Sequence, residues 1–253
     1  MSTTFAAVEI VSKRQQQNIT AMGGVLVANK PVIGGRLADG RPSSSLFYWS
    51  HSHFTDDFEF GMHDHAGFEI ITVVLDGANS HYDTATRRWA DLVTDDIQII
   101  QSGAGVSHNE RITKGTHAFQ IWFDPDYHAA LQHPASYVDH PASEFAWQGF
   151  EGFSVKDIVG GIGPVFASTP GLTIRRVSIE RDTAARVTTN PDDLTFCYVI
   201  DGSVTVGRTE ADRDDLVIAA ESSEITFRAG TAGANVFMVS VPRTPDYTPV
   251  RGR

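Results

Sequence analysis

Hydrophobic positions fall in short runs separated by polar and turn-forming residues. FEIITVVL (68–75), DIQIIQ (96–101) and AFQIWF (118–123) occupy the first half of the chain. LTIRRVSI (172–179), TFCYVI (195–200), SVTV (203–206), DLVIAA (215–220), EITF (224–227) and NVFMVSV (235–241) occupy the second. The runs are rich in β-branched and aromatic residues and are bounded by Gly, Asp, Asn and Pro, which predicts strands. The 3.6-residue apolar period of a helix is scarce. Only DYHAALQHP (126–134) suits a short helix, ended by Pro134. The pattern predicts an all-β chain built as a sandwich or barrel.

The two halves echo each other. FEIITVVLDG (68–77) is matched by LTFCYVIDG (194–202), an apolar strand closing on Asp-Gly, a dipeptide favoured in hairpin turns. AFQIWFDPD (118–126) is matched by NVFMVSVPRTP (235–245), a last strand followed by proline. Two tandem β-modules are expected, residues 1–140 and 141–253, with the junction between His140 and Ala167. The acidic run RTEADRDD (208–215) reads as a solvated loop, and the tail RTPDYTPVRGR as extended or disordered.

Composition narrows the function classes. The 253 residues carry a formal charge of -11, which disfavours nonspecific binding to nucleic acid or an anionic membrane. No apolar run approaches the roughly 20 residues of a spanning helix. The amino terminus lacks the pattern of a secretory signal. One cysteine, Cys197, excludes an intramolecular disulfide; it sits in LTFCYVI and reads as a buried thiol in a reducing compartment. A soluble cytoplasmic protein is expected, binding neither membrane nor nucleic acid directly.

The histidines change this picture, because all ten lie between His51 and His140. Side chains alternate along a strand, so His63 and His65 in GMHDHAGFEIITVVLDG point to one side and Asp64 to the other. If QSGAGVSHNER (101–111) is extended, His108 and Glu110 also share a face, and Gly103 and Gly105 permit the backbone path that returns them to the first pair. Three neutral imidazoles and a carboxylate suit a divalent transition metal such as Fe, Cu, Ni or Zn. An H-x-H pair alone is weak evidence, since His51 and His53 in YWSHSHF form another and could rival the first. His117, His128, His133 and His140 are expected to face solvent. His81 and Asp83 in NSHYDT read as a surface pair or as groups orienting a ligand, and Gln120 as lining the pocket or bonding within the barrel.

HDHAGFEIITVVLDG, followed by DDIQIIQSGAGVSHNE and FQIWFDPD, resembles the signature of the pirin family, with good register over roughly residues 60–125. Pirins are bicupins, two cupin-type β-barrels in tandem. The resemblance implies that His63, His65, His108 and Glu110 hold one divalent transition metal, Fe(II) foremost, with Ni, Cu, Zn or Mn able to take its place. It implies that Glu69 is not a ligand and that the second module lacks metal; aligned on the Asp-Gly pairs, Thr188 and Asn190 stand where His63 and His65 do. The implied activity is that of a dioxygenase of the quercetin 2,3-dioxygenase type. Its substrates are dioxygen and a small aromatic such as a flavonol, and Glu110 is also the catalytic base. The alternative is an iron-dependent, redox-responsive regulator that binds a protein partner. The family stretch P-H-P-H-R-G-F-E reads Met62-His63-Asp64-His65-Ala66 here, so both prolines and the arginine are missing. The loss of the arginine at Ala66 weakens the transfer of any one member's activity.

Overall fold

Alternation of apolar and polar side chains produces strands throughout the computed structural model, which describes residue 5 and residues 7–250. The all-β expectation holds. The chain divides into two compact units, one of residues 17–144, 167–169 and 246–253, the other of residues 1–16, 145–166 and 170–245. They are called here the amino-terminal and carboxyl-terminal units. The division expected at 140/141 leaves out the crossing of the chain ends. Strand Val8–Val11 pairs with Leu216–Ala220 in the carboxyl-terminal unit, so residues 1–16 do not belong with the segment that follows them. The stretch expected to be a junction also carries two strands of that unit, Trp147–Phe150 and Phe153–Val159.

The amino-terminal unit contains an eight-stranded and a five-stranded antiparallel sheet. The larger runs, in spatial order, Ser136–His140, Ile97–Gln101, Glu69–Asp76, His117–Phe123, Leu46–Phe54, Leu26–Ile33 and Gln17–Ala21, with Arg36–Leu37 paired to Leu26–Ile33. The smaller runs Trp89–Val93, Ala78–Asp83, Val106–Ile112 and Phe58–Glu59, and His63–His65 also pairs with Val106–Ile112. Ile70, Ile100 and Val106 pack together with Phe68, Trp122 and Tyr137, joining the inner faces of the two sheets.

The Asp-Gly pairs are not hairpin turns. Glu69–Asp76 belongs to the larger sheet and Ala78–Asp83 to the smaller, so Asp76-Gly77 carries the chain from one sheet to the other. Gly77 has φ +91°, and a Cβ there would stand 2.5 Å from Thr116 Oγ1. In the carboxyl-terminal unit, Asp201-Gly202 lies inside one long strand, Asp193–Val206, whose register against Glu224–Pro242 shifts on both sides of it. Gly202 has φ +73°, and a Cβ would fall 2.0 Å from the Gly233 carbonyl. The dipeptide marks a bend because only glycine tolerates both the positive φ and the close backbone.

The carboxyl-terminal unit is closed by apolar side chains. Cys197, Val199, Val217, Phe227, Val236 and Met238 are among the buried residues of its core, and Cys197 is a free, fully buried thiol. Thr188 and Asn190 are exposed. The expected loop 208–215 is partly a strand, Thr209–Asp212, paired with Ser203–Val206. Asp214 and Asp215 are buried, because Lys13 Nζ lies 2.6 Å from Asp214 Oδ2 and Lys13 N donates to Asp215 Oδ1 at 2.7 Å.

Two smaller expectations also change. The helix spans only Tyr127–Ala130, capped by Asp126 and ended by Leu131 before Pro134 is reached. The tail is anchored rather than free: Tyr247 Oη donates to the Asp124 carbonyl, and Val250 N donates to Asp124 Oδ2 at 2.5 Å. Residues 251–253 of the tail lie outside the described residues.

Candidate metal centre

Two neighbouring strands supply the histidines. His63–His65 pairs antiparallel with Val106–Ile112, setting His63 opposite His108 and His65 opposite Val106. The ligand atoms of His63, His65 and His108 all lie within 4.8 Å of one another, and among the described residues no other group of this kind occurs. His63 Nε2 and His108 Nε2 are 2.7 Å apart. His63 Nδ1 is 2.9 Å from the Gly61 carbonyl, which can only accept, so the proton sits on Nδ1 and the Nε2 lone pair faces the centre.

Burial keeps the His65 and His108 rings neutral. It lowers the pKa of His65 to about 4, and His63 adds to the effect against the opposing pull of Asp64. His108 falls to about 2, first by burial and then by the nearby His65, His63 and His81. Neutral imidazoles with converging lone pairs are what a divalent transition metal requires, and crowding three nitrogens without a cation between them is unfavourable. The donor set therefore fits such a metal. His63, His65 and His108 would hold it.

Glu110 stands just outside this set. Its carboxylate is buried, and Gln120 Nε2 lies 3.4 Å and 3.5 Å from its two oxygens. Asn79 also hydrogen-bonds to it. Burial raises its pKa, while His63, Asn79 and Gln120 pull the other way. Gln120 is oriented in turn by Trp122, whose Nε1–H donates to Gln120 Oε1 at 3.3 Å. Trp122 meets His65 edge-on, with ring centroids 4.9 Å apart, and continues into Tyr48 and Phe68. An aromatic wall thus borders the histidines.

The remaining candidates separate. His81 is buried, and its Nε2 lies 2.9 Å from His108 Nδ1. Glu69 is fully buried away from the histidines and accepts hydrogen bonds from Gln101, Ser168 and Thr169. His51 and His53 point to the opposite side of their strand from the centre: His53 stacks on His117 at 4.1 Å, and His51 meets Phe119. His117 is therefore half-buried rather than solvent-facing. His140 is buried too, with Nδ1 2.8 Å from Glu144 Oε2. His128 and His133 are exposed. Trp122 was missed in the sequence, although its position two residues from Gln120 on one strand gave the signal.

A family model described as Pirin matches residues 42–123, the segment that carries all these ligand candidates. The chain is 34% identical over 83 residues to a pirin-like protein of Caulobacter vibrioides, covering 32% of this chain and 35% of that one. It is 34% identical over 70 residues to quercetin 2,3-dioxygenase of Escherichia coli K12, covering 26% and 30%. The matched segments span about a third of the length of these relatives. Among solved structures, the bacterial pirin YhhW from Escherichia coli in complex with nickel(II) superposes with a TM-score of 0.76 at 18% identity, covering 94% of this chain and all of that one. GK1651 from Geobacillus kaustophilus gives 0.79 at 19% identity, covering 94% and 96%.

Proposed function

We propose, for a chain that belongs to the pirin family of the cupin superfamily, that its amino-terminal unit is a metal-dependent dioxygenase site acting on a flavonol or a related aromatic. The reaction is ring cleavage of the quercetin 2,3-dioxygenase type, the activity named for several of its relatives. The observation that carries this reading is the convergence of His63, His65 and His108 beside a buried carboxylate.

Iron(II) is the metal this reading favours. When bound, it polarises the substrate oxygens and couples electron flow between the aromatic ring and dioxygen. His63, His65 and His108 would hold it through ring nitrogens. Glu110 would be the fourth ligand and the acceptor of the flavonol hydroxyl proton; burial raises its pKa and so makes it a stronger base than an exposed carboxylate. Gln120 holds the Glu110 carboxylate in place. Trp122, Tyr48 and Phe68 offer flat apolar faces to a planar substrate. Dioxygen adds across the central ring, which opens with loss of carbon monoxide. Ala66 stands where the family arginine would, and in this reading substrate binding rests on ring faces.

The test loads the whole chain with Fe(II) under anaerobic conditions, then adds quercetin and oxygen. Loss of the flavonol absorbance and release of carbon monoxide are expected, together with about one metal per chain. His63→Ala and Glu110→Ala should abolish turnover. No turnover across a panel of flavonols and catechols would overturn the reading.

A further inference from the structure

Behind the histidines lies a second line of polar groups that the proposed reaction does not use. His81 Nε2 is 2.9 Å from His108 Nδ1, and on the far side of the same ring His81 Nδ1 is 3.8 Å from Asp83 Oδ2. His81 and Asp83 are each 1% exposed. Neither His81 Nδ1 nor Asp83 Oδ2 has a hydrogen-bond partner of its own. The other oxygen of Asp83 is occupied, since Asp83 Oδ1 accepts from Ala85 N at 2.7 Å and from Thr86 N at 2.6 Å. The carboxylate is therefore locked in place. The His81 ring is clamped as well, stacked on Tyr137 with centroids 4.9 Å apart and planes 8° from parallel.

The chemistry gives this line a direction. A separation of 3.8 Å is too long for a direct hydrogen bond, but a buried carboxylate at that range favours the proton on the nearer ring nitrogen. With the proton on Nδ1, His81 Nε2 is an acceptor. His108 must then donate from Nδ1, which leaves His108 Nε2 bare. That nitrogen already faces the bare Nε2 of His63 across 2.7 Å. The opposite direction would put a proton on His108 Nε2, in the middle of the centre, and would block it.

We infer that Asp83, acting through His81, is a positioning residue that holds His108 in the tautomer whose Nε2 lone pair is presented to a metal. This deepens the proposed function and rests on it in one respect, that a metal binds at the three histidines. A carboxylate behind a ligating histidine both orients the ring and makes it a stronger donor, and losing such a partner commonly weakens metal binding about 10- to 100-fold. Here the effect is relayed through one additional imidazole.

Two variants of the whole chain test it. Asp83→Asn keeps Oδ1 for Ala85 and Thr86 and removes the charge. His81→Phe keeps a ring against Tyr137 and removes both nitrogens. Both should bind Ni(II) roughly 10- to 100-fold more weakly than the parent in competition with a chelator. Imidazole nitrogen shifts of the metal-free parent should show His108 protonated on Nδ1 and bare on Nε2. In Asp83→Asn that preference should be lost. If the parent binds Ni(II) and Asp83→Asn binds it within about twofold, the relay is wrong while the metal centre stands. If the parent binds no Ni(II), the metal reading fails, and the nitrogen shifts still decide the tautomer. A proton found on His108 Nε2 in the parent overturns the inference outright. Should Asp83→Asn melt far below the parent, the parent's shifts alone settle the matter.

Discussion

Replacing Glu69 by glutamine removes a single charge from the interior of the amino-terminal unit and leaves the shape unchanged. Oε1 accepts from Gln101 Nε2 at 3.0 Å and from Ser168 N at 2.6 Å; Oε2 accepts from Thr169 N at 3.1 Å and from Thr169 Oγ1 at 2.7 Å. All four partners are donors. A glutamine must turn its NH₂ toward one pair. Facing Gln101 and Ser168, it would strand two donors, so it turns toward Thr169, whose hydroxyl can reverse and accept. The Thr169 N–H is still orphaned, and the two remaining bonds lose their charge assistance. An orphaned buried donor costs about 1–3 kcal/mol, and bonds to a charged group exceed neutral ones by roughly 1 kcal/mol. The expected loss is about 3–5 kcal/mol, a large share of the roughly 5–15 kcal/mol that holds a typical protein folded. Urea unfolding of the metal-free chain measures it, and amide hydrogen exchange localises it. Ser168 and Thr169 should lose protection first, whereas Ni(II) stoichiometry should not change, because Glu69 touches no histidine of the centre. A loss below about 0.5 kcal/mol would show that the carboxylate does not hold residues 167–169, and the accounting would be refuted.

Three further outcomes follow from burial and backbone geometry. His65 and His81, near pKa 4, and His108, near 2, all lie below the ordinary value of 6.5, first because of burial. The unfolded chain therefore takes up protons that the fold refuses, and the metal-free protein should lose stability as pH falls from about 6.5 toward 4. Glu110, raised by burial, works in the opposite sense; a flat stability profile over that window would contradict the assignment. Cys197 is fully buried and its thiol pKa is pushed up by that burial, so a thiol reagent should leave the native chain unlabelled and modify one site per chain on unfolding. Gly202→Ala drives a Cβ to 2.0 Å from the Gly233 carbonyl and should cost upwards of about 3 kcal/mol, whereas Gly207→Ala, at φ +63° with nothing within 4 Å, should cost only about 1 kcal/mol; equal melting temperatures for the two would refute the steric account.

Strands packed on apolar neighbours could be read from the chain, because there the alternation of side chains survives in the letters. FEIITVVL and DLVIAA became Glu69–Asp76 and Leu216–Ala220. Leu46–Phe54 escaped, because its sequence, LFYWSHSHF, puts Ser50 and Ser52 on the face it shares with Gln120 and Trp122, and a polar interior looks like a loop. The pairing of His63, His65 and His108 was legible from spacing, since alternation on two strands is enough to bring them together. The setting of Glu110 was not, because Gln120 and Asn79 reach its carboxylate from other strands. The buried state of His81 was equally hidden, since nothing local distinguishes a hairpin histidine from one stacked on Tyr137. Pairings distant in the chain, such as Val8–Val11 with Leu216–Ala220 and the tail with Asp124, leave no local trace at all.

The crossing of the chain ends has a consequence for synthesis. Val8–Val11 leaves the ribosome long before its partner Leu216–Ala220, so the earlier strand must wait unpaired while the intervening chain is made. The histidine-bearing sheets are complete once residue 144 has emerged, lacking only the short segments 167–169 and 246–253. A metal bound at the proposed centre would thus be captured well before the carboxyl-terminal unit closes, and would steady an early intermediate as well as the finished protein.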